Sequence, residues 1–430
     1  MHDYKEEVLG SKQKTYKNLF LVVTLLIFLR PHFDFTSPFL ATYFGDLIII
    51  GILLYSVLLL KLQIYASHKR FLSISVLFLA ALLIPTAVNS FKPASGFEIW
   101  FDYGKIVYFV ALFWYLYFLL IRIQDRVTLL NKLMDWFFFI IFVVSMIQLF
   151  APPVIGDLIH NLYGTTKLRS IWTGYPRVYG TFYNANWFGV YLVFYLAWLN
   201  SILLEKKVHF IAYLLRLILL VILFVVAGSR TAIIGAIICL SLQFLRVKSL
   251  HYIIALFLVG MGAYFCLQFL DLRIELIMNT VRRFVSVWNV FMEHGFVMAE
   301  LNPGRWDAWV NTFHRFTAYP LFGCGSLEGS IPHNSYLYFL NMFGLVGVAI
   351  VFMSFLLCII PFGSNKVCKP RPSVISVWKK GFVPAFLIMS LAADFLFTTQ
   401  VMLLTVLLFV ASLLSNEQKS TGAIRTSGDV

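Results

Sequence analysis

Residues 209–246 read HFIAYLLRLILLVILFVVAGSRTAIIGAIICLSLQFLR, two apolar runs parted by Gly228-Ser229-Arg230-Thr231. Each run approaches the ~20 residues that a transmembrane helix needs. Only helices and closed barrels satisfy their own backbone hydrogen bonds in lipid, and runs of this length and uniform apolarity are helices. The pair is therefore read as two membrane helices joined by a tight turn. Arg216 interrupts the first run, yet it is near enough to the helix end to extend its head to the interface, and it is read as structural.

The same pattern fills most of the chain. Of 430 residues, 60% are hydrophobic, 17% aromatic and only 13% charged, and the mean hydropathy is +0.84. The fold class is all-α, a polytopic integral membrane protein. Spans are expected near 18–30, 39–60, 71–89, 105–122, 136–154, 187–204, 209–227, 231–246, 252–270, 335–360, 381–397 and 400–414, roughly twelve at ~20 residues each. The first apolar segment follows a polar leader without a small-residue cleavage site, so it is read as a retained span. The five cysteines show no CxxC or Cys/His spacing, which argues against a disulfide framework or a zinc site.

Positive charge orients the spans, because Lys and Arg favour the cytoplasmic side of short loops. With Met1 inside, Lys61, Lys69, Arg70, Arg122, Arg126, Lys132, Lys206, Lys207, Lys366, Lys379 and Lys380 all fall on the cytoplasmic side. Both termini are then cytoplasmic, and residues 415–430 form a polar tail. The formal net charge of +14 is accounted for by topology and contact with membrane lipids, and nucleic acid is excluded as a partner.

This topology leaves two sizeable outer segments, a smaller loop near 152–186 within the first nine spans (1–270) and a larger one over 271–334, ahead of the last three spans in 335–414. In the larger loop, Ile274, Ile277, Val281, Phe284, Val285, Trp288 and Phe291 recur at helical spacing and predict an amphipathic surface helix. Asn302-Pro303-Gly304 announces a second helix over about 303–317, with Asn302 as a cap, Arg305 in the first turn and Trp306, Trp309 and Phe313 along one side. The loop closes on His333-Asn334. It collects Arg273, Arg282, Arg283, Arg305 and Arg315 around one imidazole, a grouping suited to an anion beside a membrane.

Four short pieces in order carry a resemblance. They are Gly180-Thr181-Phe182-Tyr183-Asn184-Ala185-Asn186 at the mouth of a span, Gly228-Ser229-Arg230-Thr231, and Gly304-Arg305-Trp306 before Pro320-Leu321-Phe322-Gly323. The fourth is His333-Asn334, nine residues, Gly344, two residues and Gly347. Together they resemble the bacterial O-antigen ligase and O-antigen polymerase superfamily, whose signature is His-Asn-x9-Gly-x-x-Gly. The resemblance implies a glycosyltransferase of lipopolysaccharide biosynthesis at the outer, periplasmic face of the bacterial inner membrane. Its donor would be an oligosaccharide on undecaprenyl diphosphate. Its acceptor would be a second lipid-linked repeat unit for a polymerase, or lipid A-core for a ligase. No metal or other cofactor is implied.

The residue types suit that chemistry. Breaking a glycosyl-phosphate bond develops negative charge on the leaving diphosphate, which a guanidinium stabilises bidentately at any relevant pH. That work is assigned to Arg230 and Arg305, and removal of the acceptor's proton to His333. Arg177, Asn184, Asn186 and Asn334 are candidates for binding sugar or phosphate. Plainer readings stand beside these. His333 could cap its span, Arg230 could be a snorkelling anchor, Arg305 could sit at the interface with belt tryptophans, Arg177 could be a surface charge, and Asn186 could be an N-cap. Gly344 and Gly347 are read as small residues on one helix face that permit close packing.

Absences narrow the field. The outer carboxylates Asp271, Glu275, Glu293, Glu300, Asp307 and Glu328 are scattered, which disfavours a metal-dependent transferase or a two-carboxylate glycosidase. No P-loop or GxSxG is present. A transporter or lipid flippase would place ionisable residues near the midplane in two related halves, whereas here they gather at one face. The short interval from Gly325 to His333 leans toward a polymerase, with a ligase as the alternative.

Overall fold

The computed structural model describes residues 2–30, 51, 69–91, 98–123, 125–150, 155, 158, 162–163, 178–182, 184–204, 209–247, 293, 303–325, 334–359, 374–391, 400–408 and 410–411. Ten helices are complete among them: α1 His2–Phe28, α2 Lys69–Ser90, α3 Glu98–Ile121, α4 Arg126–Phe150, α5 Ala185–Leu204, α6 Phe210–Ala227, α7 Arg230–Val247, α8 Pro303–Ala318, α9 Ser335–Ile359 and α10 Val374–Met389. Residues 400–408 are also helical, and no strand occurs among the described residues. Five helices are long and apolar enough to cross a membrane, over Leu72–Ser90, Asp102–Ile121, Arg126–Phe150, Ala185–Leu203 and Phe210–Ala227. The chain is thus an all-helical protein of membrane type. The expected spans at 39–60 and 252–270, the amphipathic helix over 274–291, the tail and most of the 152–186 loop lie outside the described residues.

Where boundaries differ from the sequence reading, polar residues are the cause. Helix α1 begins at His2, because the polar leader continues the helix instead of preceding it. Helix α4 begins ten residues before the expected start, carrying Lys132 and Asp135 along with it. Helix α10 starts at Val374 and ends at Met389, earlier at both ends than the expected 381–397. Helix α8 matches its expectation, with Trp306 and Phe313 outward while Ala308 and Thr312 are buried.

Helix α5 is the hub. It is mostly apolar, and 83% of its span is buried, as a helix without a continuous polar face is. Trp378 of α10 packs edge-on to Phe194 and Trp198, both at 4.7 Å, and Phe138 of α4 stacks on Tyr195 at 4.4 Å. Small residues let the backbones approach. A Cβ on Gly189 would lie 2.5 Å from that of Ala232, and one on Gly235 would overlap the Met389 thioether. A second, smaller core joins Leu82 of α2, Ile99 of α3 and Tyr338, Met342 and Phe343 of α9.

Helix ends sort into two sets. The C-terminal ends of α1, α4, α6 and α10 lie with the N-terminal ends of α5, α7 and α9, linked by the hydrogen bonds described below. Toward the other end, Arg216 in the second turn of α6 meets Asp135 in the third turn of α4, and Asn200 of α5 bonds Gln243 of α7 at 2.9 Å. That sorting is the up-and-down alternation the span order calls for.

Candidate functional site

The motif segments are local turns that start or stop helices, and their polar side chains are used first for that purpose. Gly228 adopts φ 55°, the left-handed conformation that ends α6, and its N–H bonds the carbonyls of Phe224 and Val225. One residue on, the Ser229 hydroxyl accepts from Ala232 N at 3.3 Å and caps α7. Asn184 caps α5, its Oδ1 accepting from Asn186 N at 2.8 Å. Asn334 caps α9, with Oδ1 accepting from Tyr336 N at 3.0 Å and Leu337 N at 3.1 Å.

These three capped N-termini meet at one end of the bundle. Ser229 Oγ donates to Asn186 Oδ1 at 2.9 Å, which joins the 180–186 and 228–231 motifs directly. Ser335 N donates to Ser390 O at 2.9 Å, tying the start of α9 to the end of α10. Met389, the residue before Ser390, packs on Gly235 in the second turn of α7. Below them, Gln148 holds the 178–180 backbone, donating to Gly180 O at 2.7 Å and accepting from Tyr179 N and Gly180 N. Gln400 donates to Phe28 O and Thr181 O, both at 2.9 Å, and so adds the end of α1 to the same cluster.

The candidates fall as follows. Asn184, Asn186 and Asn334 are brought to this end; Asn334 is 4% exposed, and its cap leaves the Nδ2 amide as the group available to a ligand. Arg230 opens α7 at the same end, where its backbone is described and its side chain is not. Arg305 stands in the first turn of α8, partly buried, on a helix that packs along α9. His333 and Arg177 lie outside the described residues, next in the chain to Asn334 and to Val178, whose N–H bonds Val226 O at 3.2 Å. Asn302 is also outside them.

Two of the motif pieces form one unit, which corrects the reading of Gly344 and Gly347. Helix α9 is broken at Gly344, where φ is 65° and ψ −167°. The turn Pro320-Leu321-Phe322-Gly323 docks into the break: Leu345 N donates to Pro320 O at 2.9 Å, Val346 N to Leu321 O at 3.0 Å, and Cys324 N to Asn341 O at 2.7 Å. Asn89 at the end of α2 adds bonds to Phe322 O at 2.6 Å and Met342 O at 3.0 Å. Gly344 and Gly323 touch backbone to backbone. Gly344 therefore serves a helix break, and Gly347 faces Phe343 of its own helix.

Sequence reasoning missed two polar groups here. Asp102 of α3 is buried, accepts from Tyr338 OH at 2.6 Å and pairs with Lys105 at 3.1 Å, so it stands beside the second turn of α9. Arg30, after the last turn of α1, is 5% exposed beside the Gln400 junction. Its place at the end of an apolar run was the available signal. Among protein-family models and curated proteins, none matches this chain.

Proposed function

We propose that the protein is an integral-membrane glycosyltransferase of surface polysaccharide synthesis, an O-antigen type polymerase working at the periplasmic face of a bacterial inner membrane. The observation that carries this reading is the meeting of three motif-borne helix N-termini, those of α5, α7 and α9, at one end of the bundle. Each N-terminus carries roughly half a positive charge, a setting that favours an anion. Arg230 of the α7 motif and Arg305 of the separate motif on α8 add the full charge that a diphosphate needs.

In the reaction, an acceptor hydroxyl oxygen attacks the anomeric carbon as the bond from that carbon to the phosphate oxygen breaks. The electron pair leaves with undecaprenyl diphosphate, whose growing charge Arg230 and Arg305 stabilise. The hydroxyl proton passes to His333. Asn334 positions that histidine by fixing the start of α9, and Asn184 and Asn186 fix the facing turn. The polymerase acceptor is another lipid-linked repeat unit. Charge distribution gives the orientation, with both termini cytoplasmic.

Gel analysis of lipopolysaccharide from a deletion strain tests this. A core bearing a single repeat is the polymerase result. A bare core with accumulated lipid-linked polymer would instead identify a ligase, and an unchanged ladder would overturn both.

A further inference from the structure

Helix α9 breaks at Gly344, so the segment that begins at Ser335 runs for only about two and a half turns. Its far end is held by the docked 320–325 turn and by Asn89, through Asn341 O and Met342 O. Its near end, next to the Asn334 cap, is held toward α10 by Ser335 N on Ser390 O and by the Tyr336 hydroxyl on Leu387 O at 2.8 Å. Both of those bonds pull toward one neighbour. Asp102 of α3 provides a third hold, toward another.

Asp102 is 5% exposed, and each of its carboxylate oxygens has a partner. Oδ2 accepts from the Tyr338 hydroxyl at 2.6 Å and Oδ1 from Lys105 Nζ at 3.1 Å. Tyr338 lies four residues after Asn334, hence on the same face of the helix, and its N–H bonds Asn334 O at 2.9 Å. Replacing a buried ion pair by apolar residues of similar size is often neutral or stabilising, so stability alone is a poor reason for this one. An apolar side chain at 338 could pack against Leu82, Ile99 and Met342 as Tyr338 does. It would not fix a direction. A phenol donating to an ionised carboxylate does, because that bond is short and strong.

We propose that Asp102 is a positioning residue of the transferase: through Tyr338 it sets the rotation of the first turn of α9, and with it the placement of His333. This role rests on the glycosyl-transfer reading above, in which His333 takes the acceptor's proton. Such a step demands close geometry, and a displacement of roughly 1 Å introduced from a distance can lower turnover by about 10²-fold. Donor binding draws on the starts of α5 and α7, which Ser229 and Asn186 join without Asp102. Turnover should therefore respond while KM for the donor does not.

Tyr338→Phe tests the role, since it keeps the ring in the core and removes the bond to Asp102. In proteoliposomes given a defined undecaprenyl-diphosphate oligosaccharide, kcat should fall by about 10–100-fold, with KM for the donor within about twofold of wild type. Amide hydrogen exchange over 335–341 should quicken in the same variant. Tyr103→Phe is the control: it removes a phenol from the same helix, one that donates to Leu79 O of α2 at 3.0 Å, and it should leave turnover and the 335–341 exchange at wild-type values. Asp102→Asn still offers the phenol an oxygen and should retain more turnover than Asp102→Ala, a comparison that stands if Tyr338→Phe does not fold. Full turnover in Tyr338→Phe, an equal loss in Tyr103→Phe, or no difference between the two Asp102 variants would overturn the role of Asp102. A wild type that transfers no glycan would overturn the reaction itself and this role with it, a failure distinct from those read in variants of an active protein.

Discussion

Replacing Gly344 with alanine probes the joint that unites two motif segments, and its cost follows from three local terms. At φ 65° and ψ −167° the backbone occupies a region nearly exclusive to glycine, where a side chain costs about 1–3 kcal/mol. The added methyl would run into Leu321 O and Gly323 N, which are backbone atoms and cannot rotate away. Moving the 320–325 turn aside would weaken the bonds from Cys324, Leu345 and Val346, each contributing on the order of 1 kcal/mol. Relief of one term worsens another, so a total of about 2–5 kcal/mol is expected. Purified Gly344→Ala should melt roughly 2–6 °C below wild type in the same detergent, with new proteolytic cleavage near the turn. Gly104→Ala is the control, since a Cβ there meets no atom within 4 Å. Wild-type melting of Gly344→Ala would refute the docked-turn argument, as would an equal loss in the control.

Other predictions concern the chemistry. His333→Ala should lower glycan transfer by on the order of 10²–10⁴-fold, the usual contribution of a general base, with expression and membrane insertion unchanged; near-wild-type turnover of the purified variant would end that assignment. Arg230→Lys and Arg305→Lys should each fail to restore turnover, because lysine offers a point charge without the planar fork. Lysine would serve equally well as an interfacial anchor, so two active variants would favour the anchoring role. Transfer should also survive EDTA, given the scattered outer carboxylates; loss on chelation with rescue by magnesium or manganese would reveal a metal site.

Much of the helical frame was legible because apolar runs of span length have few alternatives. The run at 209–227 is helix α6 over Phe210–Ala227, and Gly228-Ser229 is the tight turn expected between it and α7. Legibility failed where a distant partner changes what a residue costs. The start of α4 looks like loop because Lys132 and Asp135 interrupt the apolar pattern, yet Asp135 is matched by Arg216, 81 positions away. The break in α9 is equally hidden, since residues 342–352 read as one continuous apolar run. The 320–325 turn, with Asn89, makes the break tolerable by bonding the backbone groups it releases. At the motif end, cap chemistry was visible but its address was off by two residues. Asn184 caps α5, which frees Asn186 to accept from Ser229.

The proposed glycan transfer belongs to the end where α5, α7 and α9 begin. Its most direct test is the purified protein in proteoliposomes given a defined undecaprenyl-diphosphate oligosaccharide and no other enzyme, with products resolved by mass. A series of lipid-linked products growing by whole repeat units, lost in His333→Ala, is the predicted result. Donor that crosses the bilayer without any change in glycan length would contradict it and make the protein a carrier of the lipid instead.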